Sequence, residues 1–302
     1  NMGITRTPFR ISFFGGGTDY PDWYREHGGP VLAAAIDKYC YISCRSLPPF
    51  FEHKHRIVYS TIENVKKIEE IQHPSVRATL GWSGCEKGLE IHHDGDLPAR
   101  SGLGSSSSFT VGLVNALAAM EGKYTSKEGL AANSIHIEQN IIKESVGSQD
   151  QITAAFGGFN QIQFAVNDTF QVSPVILSKD RLQELQSHLM LFFTGFTRFA
   201  AEIAKDKIKN LRNRGSELKC MGQMVDESIK ILLNKNTPIN DFGKLLHEAW
   251  LIKRKLSDKV STPEIDAIYK EGLSAGATGG KLLGAGGGGF VLLFVKPDLQ
   301  GR

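Results

Sequence analysis

Cysteine is scarce in this chain. Four occur in 302 residues, at Cys40, Cys44, Cys85 and Cys220, and none forms a Cys-x-x-Cys pair. Cys40 and Cys44 share an apolar, extended-looking run, which sets them about 13 Å apart along a strand, too far for a disulfide. All four are expected to be reduced thiols of a cytoplasmic protein. Excess charge is also missing. Lys plus Arg number 35 and Asp plus Glu 32, a net charge of +3, so neither nucleic acid nor a membrane surface is an expected partner. No apolar run approaches the ~20 residues of a membrane helix. The first residues lack the charged-then-apolar pattern of a secretion signal, and Asn1 ahead of Met2 reads as a remnant of cloning. Internal repeats are absent, as are low-complexity tracts other than glycine.

Glycine is abundant, with 32 residues bunched at 15–17, 102–104 and 284–289. Bunched glycines let backbone approach a ligand or another segment closely. The rest of the composition, 41% hydrophobic and 22% charged, is that of a globular protein, and the length suits two domains better than one core. Ile4–Phe14, Val31–Arg45, Arg56–Ser60 and Leu89–His93 read as strands. Ser105–Met120 carries Phe109, Leu113 and Leu117 at helical spacing. Thr125-x-x-Glu128 reads as a capping box opening a helix through Lys143. Asn160–Val166 and Val172–Leu177 read as a hairpin. Beyond a domain boundary near 178–188, Leu189–Thr194 reads as a strand, 200–234 as helices broken near Gly215, 241–258 and 263–274 as two more helices, and Phe290–Val295 as a buried strand. The division predicted is 1–183 and 184–302, in an α+β architecture. A sheet with helices on one face would continue past the last strand, so a closing helix and strand are expected beyond Arg302.

The most informative segment runs Leu97-Pro98-Ala99-Arg100-Ser101-Gly102-Leu103-Gly104-Ser105-Ser106-Ser107-Ser108 directly into a helix. Glycines let amide groups converge, the helix start adds partial positive charge and free N–H donors, and the serines add hydroxyls. The combination suits a triphosphate, against the plainer reading of a helix cap with a flexible lead. It is not a Walker A loop, since no Gly-x-x-x-x-Gly-Lys-Ser/Thr occurs. Gly284–Gly289 fits Gly-x-Gly-x-x-Gly on paper but precedes a strand, so the dinucleotide reading fails its own context. A sharp hairpin would not need so many glycines.

Three carboxylates stand out. Asp19 follows the glycine turn Gly15-Gly16-Gly17 and could accept hydrogen bonds from sugar hydroxyls, or be a solvated loop Asp. Glu138 has Ile135, Ile141 and Ile142 as helical neighbours, so its charge is expected on an apolar stripe, offset by a metal ion or a buried cation. Asp150 is placed in a polar turn before Thr153–Gly158, a candidate proton acceptor or an Asx turn. His53-Lys54-His55 and His92-His93-Asp94 lack the spacing of a zinc site and read as solvated strand ends.

Taken together these segments resemble the GHMP small-molecule kinases. Pro8-x-Arg10 leading to Gly15-Gly16-Gly17-Thr18-Asp19, the loop Pro98–Ser107, and Lys281-Leu282-Leu283-Gly284-Ala285-Gly286-Gly287-Gly288-Gly289 stand in the family's order. Phe13–Tyr20, Leu97–Ser108 and Val146-Gly147-Ser148-Gln149-Asp150-Gln151 further resemble its heptose 7-phosphate kinase branch. The resemblance implies a first domain like the second domain of ribosomal protein S5 and a ferredoxin-like second one. It implies ATP on Pro98, Arg100, Ser101, Gly102, Leu103, Gly104, Ser105, Ser106 and Ser107, and Mg²⁺ on Glu138 with a loop serine, Ser105 or Ser106, of which Ser106 is preferred. Asp150 would be the base with Arg10 as its electrostatic partner, and Gly16, Gly17, Asp19, Gly286 and Gly287 would contact the sugar. The acceptor implied is the anomeric hydroxyl of D-glycero-D-manno-heptose 7-phosphate. Gly-Gly-Gly-Thr-Asp stands where galactokinases carry Gly-Glu-His-Thr-Asp, which weakens the case for galactose. A fucose or galactose kinase, a non-catalytic sensor and a nucleotide-dependent lyase are the rival readings. Lys54, Arg56, Arg25 and Arg198 are candidates for holding a substrate phosphate.

Overall fold

The computed structural model describes residues 1–197 and 200–302. In chain order the elements are β1 (Met2–Phe14), α1 (Pro21–His27), β2 (Gly29–Ser46), β3 (His55–Val58), β4 (Ile62–Val65), α2 (Pro74–Ser83), β5 (Leu89–Gly95), α3 (Ser105–Met120), α4 (Lys127–His136) and α5 (Gln149–Phe156). They continue with β6 (Phe159–Phe164), β7 (Phe170–Pro174), α6 (Lys179–His188), β8 (Leu189–Phe193), α7 (Ala200–Asn210), α8 (Gly215–Leu233), α9 (Asn240–Lys253), α10 (Pro263–Ser274), β9 (Ala277–Leu282) and β10 (Phe290–Val295). The chain forms two compact units, each gathered from separate stretches. One holds Asn1–Arg10, Ala35–Ala99 and Gly104–Gly157; the other holds Ile11–Ala34, Arg100–Leu103 and Gly158–Arg302. This differs from a division into consecutive halves at 183/184. The physical reason lies in residues 11–34: Tyr20 and Trp23 bury their rings among Ala204, Leu211, Leu218, Met221 and Leu256, and so belong with the later chain.

In the first unit β2 pairs antiparallel with β5, with Ile42 opposite His93 and Cys44 opposite Ile91. β5 runs parallel to β3, and β3 is antiparallel to β4. Alternation along β2 buries Cys40, Ile42 and Cys44 and turns Tyr41, Ser43 and Arg45 the other way. The helices follow the predicted apolar stripe of α3. Phe109, Leu113 and Leu117 are buried, each contributing about 1.5–3 kcal/mol of burial. Val111 and Val114 of α3 share a core with Leu130 of α4, Ile137 and Ala154 of α5. Thr5 of β1 donates its hydroxyl to the Gly112 carbonyl of α3 at 2.9 Å.

The capping box is corrected by one residue: Ser126, not Thr125, caps α4, its hydroxyl accepting the Gly129 amide at 3.0 Å. Nor does an α-helix run through Lys143. After His136 the backbone widens into a π turn over Ile137–Ile141, with the Ile142 amide reaching the Ile137 carbonyl. Such single turns recur at functional sites. The extra residue per turn changes which side chains face inward. Ile137 and Glu138 are buried and Ile142 packs partly buried against the Ile137 core, while Ile141 is exposed, so the stripe predicted from 3.6-residue spacing fails at Ile141.

In the second unit the start of β2 pairs antiparallel with β6, and β6 forms the expected hairpin with β7. A three-stranded antiparallel sheet has the order β8-β10-β9, with every residue of β10 buried. Phe13 and Phe14 meet Phe242 of α9 edge-on, and Phe242 leans on Phe294 of β10. The stretch near 178–188 forms α6. Its Arg181 is buried and donates to the carbonyls of Ile231, Leu232, Asn234 and Thr237 where α8 ends. A cation at a helix C-terminus both satisfies orphan carbonyls and opposes the dipole. No helix among the described residues is long and apolar enough to cross a membrane.

Candidate active site

Arg10 lies on β1 where the strand leaves the first unit's core, and Asp150 occupies the first turn of α5. Asp150 is thus helical rather than part of an Asx turn. Its carboxylate is near a helix start, which favours negative charge. The Arg10 Nε donates to Asp150 Oδ1 at 2.6 Å. The arginine side chain is 6% exposed and the aspartate 28%, so the charged pair is shielded on one side and the carboxylate stays reachable from solvent. Gly104 stands beside both. A Cβ there would meet Arg10 Cγ at 3.1 Å and Asp150 Cγ at 3.4 Å, and its φ of +71° is in the left-handed region. The phosphate-loop glycine, the cation and the acid therefore converge on one point.

Glu138 is 1% exposed. Among the described residues no arginine or lysine holds it. The Ser107 hydroxyl donates to both carboxylate oxygens, at 2.9 and 3.1 Å, and Gln151 Nε2 donates to Oε2 at 2.7 Å. Burial pushes the Glu138 carboxyl up to about 8, with Glu144 and Asp150 adding to the rise and the two hydrogen bonds opposing it. Glu144 is also shifted upward by burial. A buried carboxyl with only neutral donors is a poor resting place for a charge and a good one for a divalent ion's ligand. Among the described residues no three His, Cys, Asp or Glu side chains cluster as a metal cage. One carboxylate and a hydroxyl fit Mg²⁺, which takes oxygen ligands and fills its remaining positions with water and substrate phosphate. The serine brought onto Glu138 is Ser107. Ser106, the serine expected there, is exposed, one residue earlier on α3.

The loop residues Arg100, Gly102 and Gly104 all have positive φ, at 57°, 83° and 71°. Positive φ is the left-handed conformation that glycine adopts readily and other residues rarely. The first turn of α3 then offers the amides of Ser105, Ser106 and Ser107. Ser101 and Leu103 are buried and anchor the loop. Within the second unit Arg100–Leu103 lies against the 284–289 glycines. A Cβ on Gly102 would fall 2.3 Å from the Leu283 carbonyl oxygen, and the Phe290 amide donates to the Ser101 carbonyl at 3.0 Å. Lys253 Nζ donates to the Leu282 and Gly284 carbonyls, and Lys281 Nζ to that of Ser12.

The family descriptions "GHMP kinases N terminal domain" and "GHMP kinases C terminal" match residues 57–158 and 229–301. A D-glycero-alpha-D-manno-heptose 7-phosphate kinase of Campylobacter jejuni is 31% identical over 97% of this chain and 89% of its own length. This chain belongs to the GHMP kinases. A galactokinase of Pyrococcus furiosus is 26% identical over 97% of this chain and 89% of its own. The crystal structure of a D-glycero-D-manno-heptose 1-phosphate kinase from Bacteroides thetaiotaomicron superimposes with a TM-score of 0.79 at 23% identity, covering 100% of this chain and 90% of that one. It shows the fold, the two-domain α+β arrangement of this family. As a GHMP kinase the protein is an ATP-dependent phosphotransferase with an alcohol group as acceptor, and these relatives are sugar kinases.

The other site residues expected of this GHMP kinase fall as follows. Asp19 is buried and its Oδ1 accepts the Gly17 amide at 2.9 Å, so the carboxylate helps close its own glycine turn. Gly286 and Gly287, expected at the sugar, pack against Val260: a Cβ on Gly286 would sit 2.7 Å from Val260 Cα, and the Gly287 amide donates to the Val260 carbonyl. Their glycines are explained by backbone contact. Of the cation candidates, Arg25 pairs with the exposed Asp168 at 2.6 Å and Arg56 with Glu90 at 3.2 Å. Lys54 is exposed, and Arg198 lies outside the described residues. Sequence reasoning missed the part played by Gln151. The signal was available only as a neighbour of Asp150, because its reach to Glu138 depends on α5 being a helix and on the π turn.

Proposed function

We propose that this GHMP kinase transfers the γ-phosphoryl group of ATP to the anomeric hydroxyl of D-glycero-D-manno-heptose 7-phosphate, giving the 1,7-bisphosphate, in the cytoplasm. The observation that carries the chemistry is Asp150, held by Arg10 beside Gly104 of the phosphate loop. The substrate choice is supported by the Campylobacter relative, 31% identical along nearly the whole chain. We take the two functional domains as residues 1–183 and 184–302, which enclose the family matches at 57–158 and 229–301.

In this reading the loop amides and the start of α3 hold the triphosphate. Glu138 and a hydroxyl of the first turn, Ser106 or Ser107, would hold Mg²⁺, which when bound neutralises charge on the phosphates. Asp150 orients the acceptor hydroxyl and takes its proton as the in-line transfer proceeds. Arg10 keeps the carboxylate aimed. Asp19 and the adjacent Gly16 and Gly17 contribute to the sugar side.

The test is coupled ADP detection with MgATP and a panel of heptose 7-phosphate, heptose, fucose, galactose and mevalonate. Preference for the phosphorylated heptose by at least a hundredfold in kcat/KM is expected. Turnover led by a neutral sugar overturns the substrate assignment. ADP release with none of them overturns the kinase reading of this site.

A further inference from the structure

Two glutamines beside the two functional carboxylates cross over to the opposite element. Gln139 follows Glu138 in the π turn, and its Nε2 donates to the Ser148 hydroxyl at 2.9 Å and the Val146 carbonyl at 3.2 Å, fixing the start of α5. Gln151 follows Asp150 on α5, and its Nε2 donates back to Glu138 Oε2 at 2.7 Å and to the Gly147 carbonyl at 3.1 Å. Each carboxylate's neighbour thus holds the element that carries the other.

Gln151 is fully buried, and its remaining atom, Oε1, has no hydrogen-bond partner among the described residues. An orphaned buried acceptor is rare and calls for an explanation. A glutamine serving only to tie Gly147 to Glu138 would be expected to bury this oxygen against a donor. Here the acceptor lies on an amide whose other end grips the one buried carboxylate of the unit's acidic site. A magnesium ion dehydrates reluctantly and keeps several waters, each a strong donor.

Resting on the kinase reading above, we propose that Gln151 is a positioning residue of the metal site: its Nε2 fixes the rotamer of Glu138, and its Oε1 accepts a hydrogen bond from a water on the bound divalent ion. Outer-shell partners of this kind change metal affinity or activity about 10–100-fold. The role is distinct from holding the fold, because it acts on the metal and not on the sugar.

The experiment replaces Gln151 by Met, similar in volume without donor or acceptor. Mn²⁺ serves as the probe, with a non-hydrolysable ATP analogue, and free Mn²⁺ is followed by electron paramagnetic resonance. Wild type, Gln151→Met, Gln151→Asn and Glu138→Gln are compared. The expected result is a 10–100-fold weaker Mn²⁺ dissociation constant for Gln151→Met and a smaller shift for Gln151→Asn. In turnover the half-saturating metal concentration rises by the same factor, while KM for the sugar stays within about threefold. Mn²⁺ affinity within twofold of wild type for Gln151→Met overturns the proposal. If Gln151→Met lacks a cooperative melt, Gln151→Asn decides, and an unshifted affinity there overturns it too. Glu138→Gln separates the two failures: if it leaves Mn²⁺ affinity unchanged, the metal-site reading itself falls.

Discussion

Arg10 and Asp150 are 140 positions apart in sequence and meet at 2.6 Å, with Gly104 leaving room beside them. The pair sets up both the charge and the direction of the acid.

Replacing Asp150 by Asn keeps the shape and removes the proton acceptor. Turnover should fall by about 10²–10⁴-fold, with a melting temperature within a few degrees of wild type. Steady-state kinetics and thermal melts check both. Near-normal turnover would mean that another group takes the proton.

Arg10→Met removes the cation and leaves Asp150 without its orienting partner. A loss in kcat of about 10²-fold is expected, with little change in KM for ATP. Arg10→Lys should recover only a part, because a single ammonium does not reproduce the guanidinium fork. Equal activity of Arg10→Lys and wild type would show that charge alone matters.

Gly104→Ala inserts a methyl against Arg10 and Asp150 at a φ of +71°. Left-handed backbone costs a residue with Cβ roughly 1–2 kcal/mol. Stability should drop by about that amount, while kcat falls much further because the ion pair is displaced. A fall in activity no larger than the stability loss explains would show that the glycine serves the loop only.

Glu138 gives a pH signature. Burial pushes its carboxyl up to about 8 in the fold, from the ordinary carboxylate value of 4.5 in the unfolded chain. Between these values the native state binds more protons than the unfolded one, so stability falls as pH rises. The contribution is fully present below about 4.5 and lost on passing about 8. Denaturant melts in EDTA should show a decline on the order of a few kcal/mol across that window, smaller in Glu138→Gln. Mg²⁺ with nucleotide should release a proton on binding below pH 8 and flatten the curve. A wild-type slope equal to that of Glu138→Gln would place the titration elsewhere.

Arg181 separates folding from catalysis. Arg181→Met strands the carbonyls at the end of α8 and should destabilise by about 2–4 kcal/mol, with kcat on the folded enzyme unchanged. Chemical denaturation and active-site-normalised kinetics measure the two effects.

Local pattern was enough for much of this protein. The stripe of Phe109, Leu113 and Leu117 marked α3, the alternation around Cys40 and Cys44 marked β2, and the glycine–serine run marked the loop that leads into α3, because periodicity and turn chemistry act over a few residues. The ordered motifs around Arg10, Ser101 and Gly284 were likewise readable as a family pattern. What tertiary structure decided was everything that depends on distant partners or on departures from regular spacing. The π turn set Ile137 in the core with Glu138 and left Ile141 exposed. The helix α5 converted Asp150 from a turn residue into a helical acid and brought Gln151 onto Glu138. Ser107 rather than Ser106 reached that carboxylate, since one residue is a 100° rotation on a helix. Gly286 and Gly287 proved to be spaced for Val260. None of these is encoded in neighbouring residues: each follows from how separately folded segments pack, and a hydrogen bond spanning 140 positions leaves no mark on either of its ends.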